Sequence, residues 1–363
     1  MNKLKELEIL NLWNSSKVSL EFKPDVTLLT GINGSGKSTI LNIIFDSLTS
    51  HNEVTRNTSK NRFWSTKSTF ENDIEYYSAI FPNVSQNQKV EQGLINLLPN
   101  ANYHNLKNVK EFEKICCNDK EIAARKNITY SDDSKRSRVA SVHSVFLKGK
   151  EISGDFEVID KLVPDCFLYQ EDRSSLHKKQ ENLEPYVSSF NYHNYKNSID
   201  DRLIYIRSSL QNYESQITKK ASEFIKNSDD AHKIVRLMKD STAGIDSVFE
   251  LLNKYFLQTN KRITKDEENM ITAQNIDTKE VIPWYLLSRG EKTIIYLFLV
   301  ALIYKDSIFL LDEPEISLHV KWQKSLVSDL MSIAPKSQFI IATHSPDLIG
   351  GRWLPNCLKI NHS

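Results

Sequence analysis

Glycine is scarce in this sequence, so the places where it occurs are informative. Only 10 of the 363 residues are glycine, whereas glycine makes up about 7% of an average protein. Three of the ten lie close together, at Gly31, Gly34 and Gly36. Because glycine permits backbone conformations and close approaches that other residues do not, this cluster indicates a loop that wraps around a ligand.

Cysteine, an excess of one charge and long apolar runs are also lacking. The four cysteines include no C-x-x-C pair, which argues against a disulfide framework or a zinc site and favours a reducing compartment. A net charge of +1 excludes a polybasic chain that coats nucleic acid through charge alone. The longest uncharged apolar run, residues 294–304, is too short to cross a bilayer. We therefore expect a cytoplasmic protein with no membrane segment.

The length and composition are those of a globular protein with more than one part. A chain of 363 residues exceeds what one compact domain usually needs. With 40% apolar and 26% charged residues it can build a hydrophobic core. We expect one large fold that carries a substantial insertion.

The glycine cluster belongs to a phosphate-binding motif. Residues 26–30 predict a buried strand, and the apolar pattern after residue 39 predicts a helix. The sequence GINGSGKST between them matches G-x-x-x-x-G-K-[ST], the P-loop, whose backbone N–H groups surround phosphate oxygens. We expect the lysine to reach the β- and γ-phosphates and the serine after it to bind Mg²⁺. The predicted nucleotide-binding residues are Gly31, Asn33, Gly34, Ser35, Gly36, Lys37, Ser38 and Thr39.

A second motif places two carboxylates at the end of an apolar strand. Residues 307–311 are followed by Asp312 and Glu313, as in a Walker B strand that delivers charge to the carboxyl edge of a parallel sheet. Asp312 would hold Mg²⁺, and Glu313 would orient and deprotonate the attacking water. The alternative is a strand that ends in an acidic turn, which alone is common.

Two further motifs carry a resemblance to a known family. The sequence LSRGE at residues 287–291 resembles the ABC signature motif, most often LSGGQ, with Arg289 in place of the first glycine. Ser288 and Glu291 also fit a capping box at a helix start, and the two interpretations are compatible. The strand over residues 338–343 leads to His344, which resembles the ABC switch histidine that contacts the γ-phosphate. A strand-end histidine can instead be structural.

Together the four motifs resemble an ABC-type ATPase. The sequence DEPEISLH at residues 312–319 and the ending ATHSP at residues 342–346 are similar to the RecF, SMC and OLD branch. Val320 stands where relatives often have proline. The resemblance implies an α/β fold: a P-loop head with a mixed central sheet, an antiparallel β subdomain and an inserted helical, coiled-coil-like subdomain. It also implies ATP and Mg²⁺ as ligands, and a homodimer in which Ser288 and Gly290 of one copy complete the site of the other.

The resemblance also suggests a division of the chain. An N-terminal ATPase lobe covers residues 1–50, and a C-terminal lobe covers residues 276–363. Between them we expect a region of small strands and loops over 51–160, a Q-loop-like strand over 161–175 and a helical arm over 176–275. Gln170 falls where a Q-loop glutamine would contact Mg²⁺, with Arg173 as the other candidate and a plain polar strand end as the alternative.

Two features of the middle region have open interpretations. Basic residues between 56 and 67 alternate with Phe63 and Trp64, which predicts either nucleic-acid contact or a solvated face with the aromatics in the core. Apolar residues from Ile199 to Phe224 recur at three-four spacing, which predicts a long amphipathic helix. That helix could form a partner-binding rod or fold back onto residues 235–256.

The truncated layout resembles ATPase subunits of bacterial anti-phage systems of the Septu or retron-associated type. This resemblance implies that the chain controls a separate effector, a nuclease or toxin encoded nearby. The alternative is a DNA-repair or chromosome-structuring head that binds DNA directly. A transporter subunit is disfavoured because the segment between Lys37 and Ser288 is too long.

Overall fold

The computed structural model describes residues 2–12, 15–48, 64–82, 124–131, 138–147, 163–171, 173–177, 198–226 and 231–360. The strands in these ranges are β1 Leu4–Leu12, β2 Ser15–Glu21, β3 Val26–Thr30, β4 Trp64–Phe70, β5 Ile74–Pro82, β6 Ala124–Ser131, β7 Arg138–Leu147, β8 Cys166–Gln170, β9 Arg173–His177, β10 Lys261–Lys265, β11 Ile271–Asn275, β12 Val281–Ile282, β13 Ile308–Asp312, β14 Gln338–Ala342 and β15 Cys357–Lys359. The α-helices are α1 Lys37–Leu48, α2 Ile199–Lys226, α3 Ala231–Phe256, α4 Arg289–Ile303, α5 Val320–Ile333 and α6 Pro346–Ile349.

A mixed six-stranded sheet forms the centre of the molecule. Its strand order is β15-β3-β14-β13-β8-β9, and every neighbouring pair is parallel except β8 with β9. The residues of β8, β13 and β14 are all buried, as expected for strands covered on both faces. The predicted fold class, an α/β head with a mixed central sheet, is confirmed.

Side chains of the central sheet alternate between two hydrophobic clusters. Leu310 belongs to the cluster that includes α1 and the first strands of the chain. Its neighbour Leu311 belongs to the cluster formed with α2, α3, α4 and α5. This alternation follows from the two-residue period of a strand. In the part of the chain that the structure describes, no helix is both long enough and apolar enough to cross a membrane.

The second layer is an antiparallel sheet of order β2-β1-β4-β5-β7-β6. Trp64 at the start of β4 is 2% exposed and belongs to the core, which agrees with the core interpretation of this aromatic. Lys67 forms a 3.1 Å ion pair with Glu75 on the neighbouring strand. Phe63 and the basic residues before it lie outside the described residues.

The long amphipathic helix packs against the body of the molecule. Leu203, Ile206 and Leu210 on the apolar seam of α2 are buried in the larger core cluster. Helix α2 contacts α3 and α4, so this part of the seam is folded back and is not a free rod. Within the segment predicted as a helical arm, the helices end at Phe256, and β10 and β11 follow as an antiparallel pair.

The side chain of Gln338 forms hydrogen bonds between the two large sheets. Gln338, the first residue of β14, is fully buried. Its Oε1 accepts a hydrogen bond from Leu4 N at 2.8 Å, and its Nε2 donates to Leu4 O at 2.7 Å and to Lys23 O at 2.9 Å. The amide therefore acts as a strand neighbour for β1 across a sequence separation of 334 residues.

Candidate nucleotide-binding site

The glycine loop connects β3 to α1 at the carboxyl edge of the central sheet. Gly31, Gly34 and Gly36 have φ values of 153°, 78° and 92°, which side chains rarely adopt. A Cβ atom on Gly31 would also lie 2.6 Å from Ile360 O. Asn33 and Gly34 are exposed at the tip of the loop. The backbone of the predicted P-loop is therefore bent and open to solvent at its tip, and α1 begins directly after it.

Lys37 begins α1 and points back under the loop. It is only 5% exposed. Its Nζ donates to Gly31 O at 3.2 Å and to Ile32 O at 3.3 Å, and it lies 2.5 Å from His344 Nε2. Burial lowers the pKa of Lys37, and the carboxylate of Glu313 is the strongest opposing influence. The ammonium can only donate, whereas a nitrogen of the His344 ring donates or accepts depending on the tautomer.

The three predicted magnesium ligands meet beside the loop. Ser38 Oγ donates to Asp312 Oδ1 at 3.0 Å, and Gln170 Nε2 donates to Asp312 Oδ2 at 2.9 Å. A hydroxyl, a carboxylate and an amide supply the hard oxygen ligands that Mg²⁺ prefers, usually together with phosphate oxygens and water. No cluster of three or more His, Cys, Asp or Glu side chains suited to a metal ion occurs in the described ranges. Ser38, Asp312 and Gln170 fit a cation that is held by one carboxylate, a hydroxyl and an amide and shared with phosphates.

Glu313 and His344 face each other at the ends of β13 and β14. The distance from His344 Nε2 to Glu313 Oε1 is 3.5 Å, and the side chains are 32% and 37% exposed respectively. Glu313 N donates to Ala342 O at 2.8 Å, which extends the pairing of the two strands. The sheet thus brings both predicted catalytic residues to the same edge as Lys37 and Asp312.

The signature-like motif forms the start of α4. Ser288 caps the helix: its Oγ accepts from Glu291 N at 3.3 Å, while Glu291 Oε2 accepts from Ser288 N at 2.8 Å. The predicted capping box is therefore present. Arg289, at the position of the usual glycine, forms a 2.8 Å ion pair with Glu171, the residue after Gln170.

The two signature residues predicted to contact a second copy differ in exposure. Ser288 is exposed and Gly290 is buried. A Cβ atom on Gly290 would lie 2.4 Å from Ser317 O, so a side chain does not fit without a shift of the backbone. Glycine at this position allows α4 to approach the loop that follows the Walker B strand.

Sequence reasoning missed a buried arginine that holds the Q-loop-like segment. Arg202 on α2 is fully buried. It donates to Gln170 O and Glu171 O, each at 2.8 Å, and its guanidinium lies 5.3 Å from the centre of the Tyr169 ring. The one signal in the sequence was a charged residue beside the apolar seam, which is ordinary on an amphipathic helix.

Sequence reasoning also missed the role of Glu315 in the site. Its Oε1 accepts hydrogen bonds from three donors at the end of β14, next to His344. The signal was its place in the sequence DEPE, which indicated only a branch of the family.

Similarity to known proteins identifies the family of this chain. The family described as "AAA ATPase domain" matches residues 2–349. The chain belongs to this family. A curated relative, the retron Vc95 probable ATPase of Vibrio cholerae serotype O1 biovar El Tor, is 41% identical over 73 residues. That stretch is 16% of this chain and 14% of the relative, so the chain spans a small part of the protein it matches. These matches confirm the prediction of an ABC-type ATPase that resembles retron-associated ATPases.

Solved structures of ATPase heads are also similar to this family member. The Smc head domain with an extended coiled coil bound to the C-terminal domain of ScpA, from Pyrococcus furiosus, has 14% identity and a TM-score of 0.44 over 99% of this chain and 93% of that chain. The SMC head domain from Thermotoga maritima has 13% identity and a TM-score of 0.41 over 96% and 91%. The recombination mediator protein RecF-ATPrS has 13% identity and a TM-score of 0.39 over 99% and 96%.

Proposed function

We propose that this ATPase-family chain hydrolyses ATP with Mg²⁺ at the edge formed by β3, β13 and β14. The observation that carries the proposal is the meeting of residues from four distant segments. Lys37 contacts His344, Ser38 and Gln170 both bond to Asp312, and His344 lies beside Glu313. Phosphoryl transfer requires these groups together, since catalysis is mostly positioning and charge stabilisation.

The side chains divide the work as follows. The P-loop N–H groups bind phosphate oxygens, and Lys37 exchanges its bonds to the Gly31 and Ile32 carbonyls for bonds to phosphate. Ser38, Asp312 and Gln170 would hold Mg²⁺, which neutralises charge on the phosphates when bound. Glu313 accepts a proton from the attacking water. His344, released from Lys37, turns a ring nitrogen toward the transferred phosphoryl group.

We also propose that two copies close around ATP, with Ser288 of one copy at the nucleotide of the other. Ser288 is exposed at the start of α4, where unpaired N–H groups favour an anion. The capping box occupies Ser288 Oγ and the N–H of Glu291. The Ser288 hydroxyl proton is left to donate to a phosphate oxygen.

Replacing Glu313 by glutamine tests hydrolysis and closure together. Glu313→Gln keeps the size of the side chain and removes the base, so we expect ATP turnover to fall by about 100-fold or more. We expect dimers to accumulate with ATP, as measured by light scattering after size-exclusion chromatography. Glu250→Gln on the exposed face of α3 is the matched control. Unchanged turnover in Glu313→Gln would remove Glu313 from this role, and a variant that stays monomeric with ATP would count against closure.

The biological output that we propose is control of a separate effector in anti-phage defence. The support is the 73-residue similarity to the retron Vc95 probable ATPase. Purification from the native operon, followed by mass spectrometry of copurifying proteins, tests it. We expect an effector encoded nearby to copurify. DNA-stimulated ATP hydrolysis that weakens steeply with salt, without a bound effector, would favour a DNA-binding head instead.

A further inference from the structure

We propose that Glu315 is a positioning residue that holds His344 in register with the P-loop lysine through the backbone that directly follows β14. The inference rests on the proposed ATP hydrolysis and assigns a new role in that reaction. Glu315 does not touch the reacting groups in this proposal. It fixes the strand end from which the His344 side chain extends.

The contacts of Glu315 point to one structural element. The side chain is buried, with 7% exposure, in the loop between β13 and α5. Its Oε1 accepts from Thr343 Oγ1, from His344 N at 3.3 Å and from Ser345 N at 3.3 Å. All three donors lie at the carboxyl end of β14, 28 to 30 residues further along the chain. One carboxylate oxygen therefore sets the path of the backbone on both sides of the His344 side chain.

A second set of hydrogen bonds closes the same loop. Ser345 Oγ donates to Gln323 Oε1 at 2.6 Å, and Gln323 Nε2 donates to Leu318 O at 3.0 Å. Gln323 lies on α5, which follows the loop that contains Glu315. The end of β14 is thus anchored on two sides. Only Glu315 contacts the His344 backbone itself among the side chains of these two anchors.

The anchored backbone determines the position of the His344 ring, which contacts two other residues of the proposed site. His344 Nε2 lies 2.5 Å from Lys37 Nζ and 3.5 Å from Glu313 Oε1. A backbone shift of about 1 Å at His344 would break the first contact and misalign the second, and errors of that size can cost about 100-fold in rate. Nucleotide affinity depends on the P-loop backbone and Lys37, and the hydrogen bonds of Glu315 go to neither of them. Its charge is the weakest of the three carboxylates that raise the pKa of Lys37, after Glu313 and Asp312. Loss of Glu315 should therefore lower kcat more than it raises KM.

The surroundings of the Glu315 carboxylate predict different activities for two variants, Glu315→Gln and Glu315→Ala. Its Oε2 is buried without a hydrogen-bond partner. Glutamine keeps an acceptor oxygen for the three donors. Its NH₂ group would take the place of Oε2, which is buried and has no hydrogen-bond partner. Alanine removes the acceptor and leaves Thr343 Oγ1 and the two backbone N–H groups without it. We expect Glu315→Gln to retain most of the activity that Glu315→Ala loses.

The test is a double-mutant cycle between Glu315 and His344, read as kcat and KM for ATP. We expect Glu315→Ala to lower kcat by about 10- to 100-fold with KM within about 3-fold of the parent. In the His344→Ala background, Glu315→Ala should have little further effect on kcat, because the imidazole ring that Glu315 positions is absent. If the two substitutions lower kcat independently, so that their effects multiply in the double variant, the proposal is wrong. It is also wrong if Glu315→Ala has the kcat of the parent.

Two further variants distinguish a positioning role of Glu315 from a general loss of stability. Asp329 is a carboxylate of similar burial that accepts from Tyr255 Oη at 2.6 Å and from Lys254, neither of which belongs to the site. Asp329→Ala should lower stability and leave kcat unchanged, and an equal loss of kcat in both variants would overturn the positioning role. If Glu315→Ala does not fold, Thr343→Val, which removes one donor and keeps the shape, should lower kcat less strongly in the same cycle. If the parent protein does not hydrolyse ATP, the proposed function is wrong. If the parent hydrolyses ATP but the effects of the Glu315 and His344 substitutions are independent, only the positioning role of Glu315 is wrong.

Discussion

Glu313 has a left-handed backbone conformation with a φ of 48°, directly after the last residue of β13. This conformation is costly for a residue with a side chain and persists where surrounding contacts enforce it, often at functional sites. Here Glu313 N donates to Ala342 O at 2.8 Å and Glu313 O accepts from Ile316 N at 3.1 Å, so backbone hydrogen bonds hold the residue on both sides. The conformation turns the carboxylate away from the line of the strand and toward His344.

Val320 offers a test of local backbone conformation at the start of α5. It is the first residue of the helix and is 49% exposed. His319 before it has a ψ of 141°, which is the conformation that a following proline requires. Since proline at the first helical position loses no intrahelical bond, Val320→Pro should stabilise the protein by about 0.4–1 kcal/mol. Urea denaturation would measure the change.

The control for this substitution is Val320→Ala, which shortens the exposed side chain without restricting the backbone. We expect its stability to lie within about 0.5 kcal/mol of the parent. If Val320→Pro is less stable than Val320→Ala, the backbone at the start of α5 does not have the conformation described.

The residues that sequence reasoning located share a local signature. The P-loop and the paired carboxylates of the Walker B strand stand in short patterns whose spacing is tied to their chemistry. Arg202 and Glu315 have no such pattern, because the groups they bind lie about 30 residues away along the chain. Their roles depend on tertiary contacts, which neither periodicity nor composition encodes.

At the scale of a single element, the start of α4 depends on one buried glutamate. Glu291 is 1% exposed and accepts from Lys261 Nζ at 2.8 Å as well as from Ser288 N. Burial by itself raises the pKa of Glu291, but hydrogen bonds from Lys261 and Ser288 outweigh it and the net pKa is lowered. The charged form is therefore favoured in the folded protein.

This lowered pKa predicts how stability depends on pH. Because the folded-state pKa lies below the unfolded value of about 4.3, the contribution of Glu291 is present above that value and is lost as pH falls through the folded pKa. Glu291→Gln should cost about 1–2 kcal/mol at neutral pH, since it weakens the capping box and the bond to Lys261. The difference from the parent should shrink below about pH 4. Denaturation from pH 3 to 8 would measure it, and a constant difference would contradict the assignment.

The sequence predicted some helices and strands and missed others. The three-four spacing of α2 predicted the helix, but the same spacing suits a free rod and a packed helix. Burial of Leu203, Ile206 and Leu210 decides between them. The pair β10 and β11 was not predicted within the helical arm, because its strands are five residues long and rich in polar residues.

At the scale of the whole molecule, Gln338 contributes hydrogen bonds where the two large sheets meet. Gln338→Leu would remove the donor and acceptor that satisfy Leu4 N, Leu4 O and Lys23 O. An unsatisfied buried polar group costs about 1–3 kcal/mol, so we expect a loss of at least about 2 kcal/mol. Differential scanning calorimetry would measure it as a lower Tm.

A matched control is Gln274→Leu on the small sheet of β10, β11 and β12. Gln274 is partly exposed; its Oε1 accepts from exposed Arg262 and its Nε2 donates to Lys279 O, and water can replace both of these exposed bonds. We expect a change within about 0.5 kcal/mol. Equal effects of the two substitutions would show that the bonds to β1 contribute nothing to the joint between the sheets.

The strand order of the central sheet has a consequence for biosynthesis. Strand β3, which carries the glycine loop, pairs with β14 and β15, and both come from the other end of the sequence. While the chain is being synthesised, the glycine loop is therefore attached to a strand whose two neighbours, more than 300 residues further along, have yet to be made. Under the proposed function, the loop would reach its nucleotide-binding form only after β14 and β15 have been synthesised.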